Sequence, residues 1–172
     1  NTAKALIKLK PKMVRIYPVL VIKNTKLEKE YKEKIYEPLT VVQAIEICKT
    51  LVRMFADKKI DIIRVGLQTT DEIKEPGEGK SEVVAGPYHP ALRQLVESAM
   101  WYDAIVDKIK KLNVKVKEVE ISVNPIDVNN VIGHKKENII KLKDTYDVVL
   151  KVKSNEKIAQ GKSKIEITKT YK

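Results

Sequence analysis

Ten residues, Met13–Ile22, read MVRIYPVLVI and are apolar or aromatic throughout apart from Arg15. So unbroken an apolar run, rich in β-branched residues, predicts a strand covered on both faces, as in a parallel α/β sheet. Pro18 cannot donate to a ladder and belongs at the strand's end or at a bulge. A helical pattern spans Thr40–Asp57, and a second strand-like run, IDIIRVGL, occupies Ile60–Leu67. Strand, helix, strand is a crossover unit of expected right hand. The fold class is therefore α/β.

A chain of 172 residues suits one domain with an appendage, or two small domains. No run approaches the ~20 apolar residues that cross a bilayer, and Asn1–Lys10 alternates lysines with aliphatics without a secretory cleavage site. No membrane partner is expected, and the expected location is cytoplasmic. Cys48 is the single cysteine, so this stretch by itself makes no intramolecular disulfide and no cysteine-rich metal site. The net charge of +11 is uneven: Lys108 onward holds sixteen lysines against eight acidic residues. Such concentration favours an anionic partner, most plausibly nucleic acid, with solvated lysine-rich faces as the plain alternative.

Taken in order, Asn1–Leu9 reads as the tail of a helix that Pro11 stops, and Asn24–Glu37 as a surface excursion holding a short helix. Thr40 and Gln43 have capping-box spacing, and Val41, Ile45, Cys48, Val52 and Phe55 recur at helical intervals. Cys48 on that stripe reads as a buried thiol rather than a nucleophile. Gln68–Tyr88, with Pro76, Gly77, Gly79, Gly86 and Pro87, reads as a long loop after the second strand, where α/β folds place function. His89 stands at the entrance of a helix over Ala91–Lys111 and is expected to cap it or orient the loop. From Val114 the pattern becomes strand (Val114–Val123), short helix (Asp127–Val131), turn (Ile132–Lys136), helix through Lys143, then strands Val148–Lys153 and Lys164–Thr168. A boundary near Leu112 divides residues 1–111 from 112–172.

Side-chain parity supplies a candidate cavity. Arg15 and Tyr17 share one face of the first strand, and Arg64, Gly66 and Gln68 one face of the second. With helices over the apolar parity, Arg15, Tyr17, Arg64 and Gln68 would point into a barrel interior or crevice, suited to an anionic or polar ligand. The alternative is that the arginines pair with distant acids.

The stretch VRIYPVLVIKNTKLEKEYKEKIYEPLTVVQAIEICKTL, with IIRVGLQTTDEI and VAGPYHPALRQLVES, resembles the later part of the radical-SAM barrel in proteins similar to the catalytic subunit of Elongator. The likeness is to a bacterial branch of that superfamily and covers roughly Ala3–Ser98. It implies that the two strands are the seventh and eighth of a TIM-type barrel. It also implies that a 4Fe-4S cluster and S-adenosylmethionine are held by earlier strands. The C-x3-C-x2-C cluster motif and strands one to six have no counterpart here, nor has the acetyltransferase domain of Elongator. The expectation is a C-terminal fragment, holding no cofactor itself and catalytically silent alone, whose open strand edges favour self-association.

The second half offers Gly133-His134-Lys135-Lys136, followed by Ile139 and Leu142, and is similar to the helix–GxxG–helix core of KH domains. Lys136 stands where the second glycine is expected and adds a cation beside Lys135. Gly133, His134, Lys135 and Lys136 are thus candidate contacts to a nucleic-acid backbone, in a small α+β KH-like domain. The combined expectation is a portion of a radical-SAM enzyme acting on RNA, most plausibly tRNA. A stand-alone RNA- or protein-binding module is the alternative.

Overall fold

The computed structural model describes residues 2–112 and 114–171. They fall into two compact units divided between Val96 and Glu97. The first unit begins with helix α1 (Thr2–Lys8) and strand β1 (Met13–Ile16). Next come β2 (Val21–Ile22), α2 (Lys26–Lys32) and α3 (Val41–Ala56). Strands β3 (Asp61–Val65) and β4 (Val83–Ala85) follow, and then α4 (Leu92–Lys110), which runs on into the second unit.

β1 and β3 are parallel, with α3 between them in the chain and packed on β3, so the strand–helix–strand unit forms as its pattern predicts. The capping box forms too. The Gln43 amide donates to Thr40 Oγ1 (3.2 Å), and the Thr40 amide to Gln43 Oε1 (2.8 Å). Cys48 and Phe55 are buried on the inward stripe of α3.

Three expectations for this unit fail. Met13–Ile22 is not one strand: it breaks after Ile16, and Val21–Ile22 turns to pair antiparallel with β4. Pro18, which has no N–H to give, lies in the break. Nor is the parallel pair covered on both faces. Met13 is 55% and Ile63 45% exposed, while Ile16 and Val65 are buried. The expected loop Gln68–Tyr88 also holds a strand, β4. It is tied back where the Lys23 amide donates to the Glu82 carbonyl (2.8 Å) and Lys23 Nζ to the Ser81 carbonyl (2.5 Å).

The second unit adds β5 (Val116–Val123), a 3-10 turn (Pro125–Asp127), α5 (Val128–Ile132), α6 (Glu137–Tyr146), β6 (Val149–Ser154) and β7 (Ser163–Thr170). β5 is central, parallel to β6 and antiparallel to β7. Val119, Ile121 and Val123 alternate inward from β5 and meet Val131, Leu142 and Leu150, with Ile105 and Val106 from α4. The outward positions carry charge: Glu118 bonds Lys151 (3.0 Å), and Glu120 bonds Lys153 (2.9 Å). Because α4 gives its later turns to this core, the packing boundary falls inside that helix.

Candidate nucleic-acid interface

The strand-end candidates divide. Arg15 and Arg64 are register partners, as are the buried Ile16 and Val65 one step on. Arg64 Nη1 donates to Gln68 Oε1 at 2.9 Å, which fixes the side chain over the strand's end. Tyr17 lies beyond β1 and is 43% exposed. The concavity at this end of the strands is lined instead by Pro18, Leu20, Gly66, Pro87, Tyr88 and His89, among others, and holds about 10 Å³. That is room for a single water at most. Gly66 is required here. Its φ is +83°, and a Cβ would stand 3.0 Å from that of Leu92. His89 does what its position suggested, its Nδ1 accepting the Ala91 amide (3.1 Å) at the entrance of α4.

The turn between α5 and α6 is built from the inside. Asn138, buried in the first turn of α6, donates through Nδ2 to the carbonyls of Ser98 (2.9 Å), Asn130 (3.2 Å) and Val131 (3.2 Å). Its own backbone nitrogen stands 3.0 Å from where a Cβ on Gly133 would be, and Gly133 has φ +83°. No other residue fits there without displacing α6. Lys135 (φ +50°) and Lys136 (φ +64°) follow in the left-handed region, so the backbone a second glycine would favour persists although a lysine occupies it. Both lysines are exposed and His134 is half-buried.

Neither Lys135 nor Lys136 forms an ion pair with another described residue. Glu137, next in the chain, is committed to Lys141 at 2.5 Å. Two adjacent, exposed lysines on one turn are suited to phosphate. Two of the turn's amides are used within it. The Lys136 amide donates to the Gly133 carbonyl (3.1 Å) and the Glu137 amide to that of His134, which closes the turn on itself. The charge presented outward is that of the side chains. Sequence reasoning missed Asn138. The available signal was an asparagine early in a helix next to a glycine turn, where its amide can satisfy carbonyls of the preceding helix.

Among the described residues no group of three or more His, Cys, Asp or Glu side chains could hold a metal. A 4Fe-4S cluster takes cysteine thiolates, and the one cysteine here, Cys48, is buried, its thiol pushed up in pKa by that burial. The residues of this chain do not fit a cluster. No helix among the described residues is long and apolar enough to cross a membrane.

No curated protein and no solved structure matches the chain. The family model described as Radical_SAM C-terminal domain matches residues 11–102. That span runs from the approach to β1 into α4 and takes in more than half of the sequence; the chain belongs to the radical-SAM C-terminal domain family.

Proposed function

We propose that this chain is the C-terminal portion of a radical-SAM, iron–sulfur enzyme that acts on RNA, with tRNA the favoured substrate. Residues outside this stretch hold the cluster and S-adenosylmethionine, since the family uses both and no residue set here suits a cluster. The first unit supplies strands of the TIM-type barrel, with Arg15, Tyr17, Arg64 and Gln68 turned toward its substrate or cofactor cavity. The second unit is a KH-like domain that holds the RNA backbone at Gly133, His134, Lys135 and Lys136.

The observation that carries this reading is the Lys135–Lys136 pair, exposed on left-handed backbone. Binding of this kind is largely sequence-tolerant and falls steeply with salt as phosphate contacts release counterions. The test is a salt-titrated binding assay of the full chain with single-stranded RNA and with tRNA, beside a variant carrying Lys135→Glu and Lys136→Glu. The variant should lose at least tenfold in affinity at low salt and show a shallower salt dependence. Unchanged binding in the variant, or no binding by the parent chain at low salt, would leave the domain a packing module.

A further inference from the structure

Trp101 packs against the same core as Tyr102, Ile105, Val106 and Ile109, and it is only partly buried there. Glu97, Met100, Trp101 and Ala104 recur at helical spacing and form one wall of a cavity of about 500 Å³. The opposite walls are Ile126, Asp127 and Asn130, and Gln160 with Gly161 from the β6–β7 connection. That connection is fastened in place. Asp127 Oδ2 accepts the Gly161 amide at 2.7 Å, and Asn124 Nδ2 donates to the Ile158 carbonyl at 2.8 Å. Asn130 Nδ2 is held by Glu97 Oε2 at 2.9 Å. The size is that of a small-molecule site, apolar in its walls with a few converging polar groups.

The charge of this cavity is the reverse of its surroundings. In a unit that holds sixteen lysines against eleven acids, its lining includes Glu97 and Asp127. A phosphate is repelled there, whereas a neutral planar ring finds the Trp101 indole to stack on and the Gln160 amide to bond. Asn130 lies three residues before Gly133 on α5, about 5 Å along the helix axis, so the cavity adjoins the turn that bears Lys135 and Lys136.

We infer that this cavity receives a nucleobase of a single-stranded RNA whose backbone lies on the Gly133–Lys136 turn. The inference rests on the RNA-binding reading and adds base selection to it. An amino-bearing base is favoured. Adenine offers its N6 amino group and a ring nitrogen to a Gln side chain, while uracil turns carbonyl oxygens toward the acidic rim.

Trp101 is the only tryptophan in the chain, so its indole N–H resonance reports the cavity directly. Adenosine and uridine carry no phosphate and probe the cavity apart from the lysines. Adding adenosine to the full chain should shift the Trp101 resonance saturably, with uridine at least fivefold weaker. Gln160→Ala, an exposed position, should bring adenosine down to the level of uridine without moving the melting temperature. In the Lys135→Glu, Lys136→Glu variant the nucleoside response should be unchanged, so loss of backbone binding and loss of base binding are separable. Equal responses to the two nucleosides, no saturable shift, an unaffected Gln160→Ala variant, or a stronger response to arginine amide would each overturn the assignment, the last in favour of a cation site.

Discussion

The backbone nitrogen of Asn138 lies 3.0 Å from the point where a Cβ on Gly133 would stand, and the Asn138 side chain bonds the carbonyls of the helix that Gly133 ends. One residue thereby sets both the entry and the exit of the turn. Gly133→Ala should cost roughly 2 kcal/mol, combining a backbone conformation disfavoured for alanine with the close contact. Asn138→Ala should cost about as much, because it strips buried carbonyls of their donor. Urea denaturation of each variant checks this, and a Gly133→Ala protein as stable as the parent would contradict the geometry.

Lys136→Gly separates conformation from charge. With φ at +64° the lysine is held where glycine is at ease. The substitution should therefore raise stability by up to ~1 kcal/mol while it weakens RNA binding. Denaturation and binding measured on the same preparation give both signs, and a destabilised variant would refute the account of the turn.

Acid sensitivity of the second unit should centre on Asp147 and Glu118. Hydrogen bonds from Lys143 and then Tyr171 hold the Asp147 carboxyl below its ordinary value, and bonds from Thr168 and then Lys151 do the same for Glu118. A folded-state value below the unfolded one gives stability that is present above the unfolded pKa of about 4 and is lost as pH falls through the folded value. Melting temperature should therefore drop below about pH 4. Asp147→Asn should flatten that part of the profile while lowering stability at neutral pH.

The capping box makes a simpler claim. Thr40→Ala removes one of two reciprocal bonds at the start of α3 and should cost about 1 kcal/mol. Thr40→Ser should restore most of it, as read from thermal melts.

Among the described residues β1 pairs with β3 alone, beside exposed Met13 and Ile63. Strand edges of this kind recruit further strands. Sedimentation should show association rising with concentration, reduced by Met13→Lys together with Ile63→Lys. A monomer at every concentration would count against open edges.

The local patterns were legible because they report short-range physics. The Thr40–Gln43 box, the Cys48–Phe55 stripe and the inward turn of Val119, Ile121 and Val123 each depend on neighbours within a turn or a pleat, and each appears where its spacing put it. Residue spacing alone could not say where Val21–Ile22 would find a partner. That was decided by β4, some sixty residues on, in a stretch whose glycines and prolines read as loop. The same holds at the site. Gly133, Lys135 and Lys136 stand out in the sequence, but their left-handed backbone, and Asn138 reaching back beside it to the preceding helix, appear only in the structure. The cavity at Trp101 likewise exists only because α4, α5 and the β6–β7 connection meet. Periodicity determines which face of an element is apolar; which faces meet, and which positive-φ residues are tolerated, is settled by long-range contacts that no window of sequence contains.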